Sequence, residues 1–383
     1  MRRIEMMCRI CSANVNPQFT LHDMPDGAQH FGRTDQSSSS HKTSMQLCQC
    51  LQCGTVQHLG PTVKNYKSVK RSTKFSPAMI EFRKSQFQEL KNTNNDTLKS
   101  VFELGAGEGE YLDVFKSLGF ETFGIEHSKK FCTTAIEKGH NVTEGFLGDK
   151  KFEKKFLTPK FDAVVSFNFI EHLPKPKETL SMLRKVLKPG GIGLFEVPNF
   201  EIIESLKLFN EFIPDHMIYY NKGSFQTLLS LSGFEVVQMS EIWERYILSA
   251  TVRPRPETNW GGFQSRRVTL EKEIRNFFKG NCAAKNAVWS AGHQSLATIS
   301  NLGLNKLIHC FIDSSTAKQG KFSPVNGLPI LPPDILAEGI IECVLVAAGG
   351  FNKEIINFIR TNYSDDIKLA TIEEGQVKYV KNP

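Results

Sequence analysis

At 383 residues, with 40% hydrophobic and 23% charged positions, the chain has a globular composition and length for more than one core. Its net charge of +7 is spread out, so it lacks the dense basic stripe of a nucleic-acid binder, and no nucleic-acid partner is expected. The N-terminal MRRIEMMCRICS has no apolar signal region and the longest apolar run, Ile340 to Ala348, is too short for a bilayer; a cytoplasmic protein with no membrane partner is expected.

Residues 1–62 read as loop-rich and short of periodic structure, yet they hold five of the nine cysteines. In a reducing compartment these are not a disulfide framework. Two C-x-x-C pairs, Cys8/Cys11 and Cys50/Cys53, supply the four thiolates of a closed structural zinc site. Cys48 is an alternative ligand, more readily a buried spare thiol. A redox role lacks the βαβ context it needs.

Residues 63–98 read as a helical linker. Ser76 caps, Pro77 takes the first helical position, and Ile80, Phe87 and Leu90 form the apolar stripe. Just before it, Lys64, Lys67, Lys70, Arg71 and Lys74 read as a solvated face, with a phosphate-bearing ligand as the next option.

Over residues 99–250 strands and helices alternate: KSVFEL, EYLDVFKSLG, FETFGIEHS, KFCTTAIEKGH, FDAVVSFNFIEHL, KETLSMLRKVLKPGG and IGLFEVP. That order predicts a mainly parallel sheet covered on both faces. Residues 251–285 read as a connector, with RPRPETNWGG as loop and RRVTLEKEIRNFFKG as helix. Residues 286–383 alternate again, with NAVWSAG, KLIHCFIDSS and IECVLVAAGG as strands and HQSLATISNLG, PPDILAEG and FNKEIINFIRTNYSD as helices. The expected fold class is α/β: a Rossmann-like central domain between a small N-terminal zinc-binding module and a smaller α/β Rossmann-like C-terminal domain.

FELGAGEG carries the sharpest chemistry. A strand runs into Gly105, Gly107 and Gly109 before a helix begins, so a ligand meets bare backbone and free N–H groups. The spacing is not the G-x-G-x-x-G of a pyrophosphate cradle. Glu103 would repel a phosphate and suits the sulfonium and α-amino group of S-adenosylmethionine. Seventeen residues after Gly109, Glu126 ends the next strand, where an acid takes both ribose hydroxyls. On the substrate side, SFNFIEHL offers Asn168, Glu171 and His172, and a later loop clusters Asp215, His216, Tyr219 and Tyr220. A His beside an Asp and two Tyr is a candidate general base; turn capping and local hydrogen bonding are the plainer roles for His172 and His216.

With Glu103, Glu126, FDAVVSFNFIEHL and LRKVLKPGGIGLFEVPN in order, about 150 residues resemble class I S-adenosylmethionine-dependent methyltransferases. The resemblance implies that Gly105 to Gly109 wrap the methionine part, that Glu126 holds the ribose and that Asp149 lies near the adenine, with Asn168 on the cofactor side. CLQCGTVQ and KQGKFSPVNGLPI extend it: nearly the whole chain resembles the nucleotide-sugar C-methyltransferase family, although GHQSLA departs from the form expected there. That likeness implies C-methylation of a deoxy-keto sugar on a nucleoside diphosphate, through an enolate formed by a base. It also implies that the zinc module walls the sugar pocket, with Tyr66 a candidate pocket residue.

The family's base loop reads Y-H-E-H-x-x-Y. Here it reads Ile213, Pro214, Asp215, His216, Met217, Ile218, Tyr219, so His216 is the implied base, supported by Asp215, His172 and Tyr219. Ile213 offers no hydrogen bond to an enolate. Other groups stabilise the oxyanion, or another position or atom is methylated. O- or N-methylation of a sugar or related small molecule therefore stays open, as does a non-catalytic S-adenosylmethionine-binding protein.

Overall fold

The computed structural model describes residues 6–25, 42–60, 76–148, 160–324 and 327–381. The chain divides into two compact units, Met1–Pro256 and Glu257–Pro383. Tyr66 and the lysine cluster at 64–74 lie outside the described residues.

The N-terminal segment is not simply loop. It forms β1 (Phe19–Pro25), β2 (Lys42–Gln49) and β3 (Val56–His58). These join a fourth strand from far along the chain in an antiparallel sheet. Alternation in KTSMQLCQ, which buries Met45, Leu47 and Cys48, was the overlooked signal.

Helix α1 (Pro77–Thr93) starts where expected, with Ser76 Oγ accepting the Met79 N–H at 3.2 Å. Its inner face differs from the expected stripe. Ile80 is 40% exposed, and fully buried Arg83 joins Phe87 and Leu90 instead. The Arg83 guanidinium meets Glu196 in a two-pronged pair, Nη1 to Oε1 at 2.7 Å and Nη2 to Oε2 at 2.6 Å. Gln86 and Ser249 donate to the same carboxylate at 2.6 and 3.0 Å.

The main sheet is built from β4 (Ser100–Leu104), β5 (Glu121–Glu126), β6 (Asn141–Glu144), β7 (Phe161–Phe167) and β8 (Leu187–Pro198), all parallel. Between them run α2 (Glu110–Ser117), α3 (Lys129–Glu137) and α4 (Pro176–Val186). After β8 come α5 (Phe200–Leu206), β9 (Ile218–Tyr219), α6 (Lys222–Leu231) and the hairpin β10 (Phe234–Ile242) and β11 (Ile247–Pro254). Strand β9 is the fourth strand of the N-terminal sheet. The main order is β10-β11-β8-β7-β4-β5-β6, with β11 antiparallel to both neighbours. The sequence reversal at β4 makes a crevice at its carboxyl end. Every residue of SVFEL is buried, as a strand covered on both faces requires.

Three segments differ from the sequence expectation. The helix read through KPGG stops at Val186, because Pro189 forces the preceding residue out of the helical region, and β8 begins at Leu187. The 251–285 connector is instead the end of β11, terminated near Pro254 and Pro256, followed by helix α7 (Trp260–Phe277) capped by Asn259. PPDILAEG makes only a 3-10 turn, Pro333–Glu338, being too short to repay helix nucleation.

The second unit adds β12 (Asn286–Trp289), α8 (His293–Asn301), β13 (Cys310–Ile312), β14 (Ile330–Leu331), β15 (Cys343–Val346), α9 (Asn352–Asn362), β16 (Lys368–Glu373) and β17 (Gln376–Tyr379). Its sheet order is β14-β13-β12-β15-β16-β17, parallel except for the β16–β17 hairpin. The fold class is thus a class I methyltransferase-type Rossmann-like sheet followed by a second α/β domain.

Removing one partner of a buried ion pair leaves the other charge uncompensated. Arg83→Ala should destabilise the protein by roughly 3–5 kcal/mol, and the double variant Arg83→Met/Glu196→Gln by much less. Chemical denaturation of both variants checks this.

Candidate functional site

Strand β4 delivers the chain to Gly105, whose φ of +78° lies in the left-handed region. The Gly105 and Ala106 N–H groups both donate to Ile125 O, at 3.0 and 3.1 Å, folding the loop over β5. A Cβ at Gly105 would stand 2.7 Å from the Phe169 ring, and one at Gly109 2.7 Å from His140, so only glycine fits at either place. The Gly107 N–H donates to Glu126 Oε2 at 3.0 Å. Glu126 Oε1 accepts from the Ser128 N–H at 2.8 Å and faces His127 Nδ1 at 3.0 Å. Burial opposes ionisation of this carboxyl, but these donors outweigh it and hold Glu126 below the usual carboxylate range.

A cavity of about 290 Å³ opens beside this loop, lined by Gly105, Ile125, His127, Phe146, Phe169 and His172 among others. The His127 and Phe146 rings are stacked, with centroids 5.4 Å apart and planes at 20°. Of the residues expected around a cofactor, Gly105 lines the cavity and Gly107 is tied to Glu126. Glu103 is buried within β4. Asn168 is exposed, with φ +48° and its N–H bonded to Glu196 O at 3.0 Å. Asp149 lies outside the described residues.

His172 ends a 3-10 turn, Ile170–His172, that follows β7. Its Nδ1 donates to the Asp215 carbonyl at 2.9 Å, which assigns the proton to that nitrogen. The His172 and His216 rings meet edge to face at 4.8 Å. Burial drives His172 below its ordinary value. Burial, then the neighbouring His172, drives His216 well below its own. Both rings are therefore neutral at pH 7. Glu171 is 2% exposed, and burial pushes its carboxyl up to about 8. The ligating atoms of Glu171, His172 and His216 all lie within 4.8 Å of one another.

Tyr219 braces the loop. Its hydroxyl accepts the Ile213 N–H at 2.9 Å and donates to Ile213 O at 3.0 Å. Asp215 is buried and contributes its carbonyl to His172. Strand β9, with Met217 just before it, holds the loop to the cysteine segment: Val56 is opposite Tyr219, Gln57 opposite Ile218, and the His58 N–H donates to Met217 O at 3.0 Å.

In that segment the Cys8–Cys53 and Cys11–Cys50 sulfurs are 3.5 and 3.6 Å apart, and all four lie within 4.8 Å of each other. A tetrahedral site with 2.3 Å metal–sulfur bonds has sulfurs about 3.8 Å apart. Burial and the three neighbouring sulfurs push the Cys11 thiol up to about 12, so four thiolates there call for a cation. Cys48 is buried on β2, outside this set.

His127, Phe146 and Arg9 were missed in the sequence. Arg9, between the cysteines of the first pair, reaches the carbonyls of His58, Gly60 and Pro174 at 3.1 to 3.4 Å. Pro174 lines the cavity. The only sequence signal was position, next to Glu126 for His127 and inside the knuckle for Arg9. The second unit has its own cavity, about 410 Å³, lined by Ser290, His293, Asp313 and Lys318 among others. Asp313 accepts from Lys318 Nζ at 2.8 Å and from the Ala291 and Ser315 N–H groups at 3.0 and 2.9 Å.

Residues 79–239 match a family model described as a methyltransferase domain, and residues 255–370 one described as the C-methyltransferase C-terminal domain. The C-methyltransferase NovU of Streptomyces niveus is 24% identical over 288 residues, covering 67% of this chain and 68% of its own. The ubiquinone biosynthesis O-methyltransferase of Azoarcus sp. (strain BH72) is 25% identical over 168 residues, 38% of this chain and 71% of its own. Among solved structures, the PH0226 protein of Pyrococcus horikoshii OT3 aligns at a TM-score of 0.41 and 19% identity, over 50% of this chain and 99% of that one.

The raised Glu171 value links folding to pH. Below the unfolded value near 4.5 the carboxyl is neutral in both states, and the native state is favoured in full; that advantage is lost as pH rises toward 8. Wild type should therefore lose stability relative to Glu171→Gln between pH 5 and 8, by up to ~1.4 kcal/mol per pH unit. Urea unfolding of both proteins across that range measures it; a pH-independent difference would contradict the buried, neutral carboxyl.

Proposed function

We propose that the chain, whose residues match a methyltransferase domain and the C-methyltransferase C-terminal domain, is an S-adenosylmethionine-dependent methyltransferase that methylates a carbon next to the ketone of a nucleotide-linked deoxy-keto sugar. The observation that carries this reading is the pair of half-buried neutral imidazoles, His172 and His216, of which His172 lines the cavity with Gly105. A neutral imidazole can remove a proton α to a ketone.

The cavity residues fit the cofactor. Gly105, Gly107 and Gly109 leave backbone bare for the methionine portion, and the ionised Glu126 suits the ribose diol. The His127 and Phe146 rings suit a flat adenine. When bound, S-adenosylmethionine supplies a methyl group on a positively charged sulfur. His216 acts as the base, with Asp215 and Tyr219 holding its loop and His172 against its ring. The match of residues 255–370 to the C-methyltransferase C-terminal domain favours carbon over oxygen or nitrogen as the methylated atom.

The second unit has a cavity of its own at the carboxyl ends of β12, β13 and β15, the end at which α/β sheets take ligands, where Lys318 is paired with Asp313. The cysteine segment is a structural zinc site, closed by Cys8, Cys11, Cys50 and Cys53, that does no chemistry and steadies the base loop through β3.

Incubation with S-adenosylmethionine and a panel of nucleotide keto-sugars in D2O tests the route. Deuterium should enter the carbon next to the ketone, and His216→Ala should abolish the exchange. Methyl transfer to oxygen without exchange would refute the enolate. Glu126→Ala should weaken S-adenosylmethionine about 10- to 100-fold by calorimetry, the loss expected for hydrogen bonds to a charged group. Cys53→Ser should lose one equivalent of zinc and lower the melting temperature, with activity falling as a consequence of unfolding.

A further inference from the structure

Glu171 is a buried carboxyl beside the two imidazoles whose side chain has no other task. We infer that Glu171 is a positioning carboxylate for the base: it lies against His216 and takes the hydrogen bond of the imidazolium formed when that ring removes a proton from the substrate carbon. This rests on the reading of His216 as the base.

Geometry comes first. The His216 and His172 ring nitrogens and a Glu171 oxygen lie within 4.8 Å of one another, with Glu171 Oε1 3.9 Å from His172 Nε2 and so within reach of either ring. Glu171 Oε2 is buried without a hydrogen-bond partner among the described residues. A buried carboxyl with a free oxygen is costly, and such groups persist where a function uses them. The same residue holds the loop from its main chain: the Met217 N–H, one residue past the base, donates to Glu171 O at 2.8 Å. Glu171 therefore meets the neighbourhood of His216 through both its backbone and its side chain.

Electrostatics give the pairing its purpose. Burial disfavours a charged His216, and His172 beside it adds to the cost. Alone, this imidazole would be a weak base. His172 cannot turn to help, because its Nδ1 is committed to the Asp215 carbonyl. The other titratable groups facing Glu171 are Tyr220 and Tyr246, both raised by burial and so neutral. Asp215, the residue before the base, faces His172, and Arg9 faces Tyr220. Of the two carboxyls here, Glu171 is the one with an unpartnered buried oxygen beside both imidazoles, placed to offset an imidazolium.

The step balances on protons alone. The C–H proton moves to a His216 ring nitrogen, and its electron pair stays on the substrate as the enolate. The ionised Glu171 accepts a hydrogen bond from the imidazolium. The enolate carbon would take the methyl group that bound S-adenosylmethionine supplies on its sulfonium, and the imidazolium then returns its proton to solvent. The productive form needs Glu171 ionised and His216 neutral, so activity should rise with pH through about 8.

Two measurements test this on the full chain. With 15N-labelled histidine, the His216 signal should show a step near pH 8 in wild type that is absent in Glu171→Gln; a step that persists in the variant, or is missing from wild type, overturns the inference without any substrate. With thymidine and uridine diphosphate 4-keto-6-deoxyhexoses as probes, Glu171→Gln should slow deuterium exchange and kcat about 10- to 100-fold. KM and S-adenosylmethionine affinity should be unchanged, and Glu171→Asp should recover part of the rate. Wild-type exchange and an unaltered pH profile in Glu171→Gln overturn the inference. Loss of exchange in His216→Ala alone would leave the base reading standing while removing Glu171 from it. A metal equivalent lost in Glu171→Gln but kept in Cys53→Ser would make the three residues ligands, and so also overturn it.

Discussion

Two residues, Ile218 and Tyr219, form a strand against Val56–His58, and His58 adds a hydrogen bond to Met217. Through this short ladder the loop bearing His216 is attached to the cysteine segment. An isolated pairing of this length has little stability of its own. It holds because the partner strand follows directly on Cys50 and Cys53, whose sulfurs converge with those of Cys8 and Cys11. On its other side the loop is clamped by Glu171 O and His172 Nδ1. The cysteine segment thus holds the loop that carries His216.

Unit 1 treats buried charge in two opposite ways. Arg83 and Glu196 are sealed together as an ion pair, with two further donors on the carboxylate. Glu171, buried, and His172 and His216, half-buried, have no permanent countercharge, and desolvation disfavours the charged form of each. The first arrangement anchors α1 to β8. The second is a cluster of groups whose charge depends on their surroundings. Glu126 stands between these cases, ionised by three donors while bordering the cavity loop.

The glycine loop was legible in the sequence because its constraints are local. Gly105 and Gly109 need left-handed backbone and room, and an acid two residues before them or at the end of the next strand falls within the same βαβ unit. The cysteine pairs were legible for a similar reason, since each pair spans three residue steps. Strands β1 to β3 were not, because their partner β9 lies more than 150 positions away in sequence. The Ile80 stripe misled for a related reason: helical periodicity cannot tell that Arg83 will meet an acid from β8.

By itself the sequence determined the two α/β sheets, the glycine–acid signature of an S-adenosylmethionine site and the four convergent thiols, since these follow from residue type and short spacing. Only the tertiary structure decided which polar groups gather around the two imidazoles. Asp215 lends its carbonyl, Tyr219 spends its hydroxyl on Ile213, and Glu171 comes within 4.8 Å of both rings. Spacing gives no access to those choices, because burial and the partner across a loop set whether a carboxyl, a phenol or an imidazole is charged.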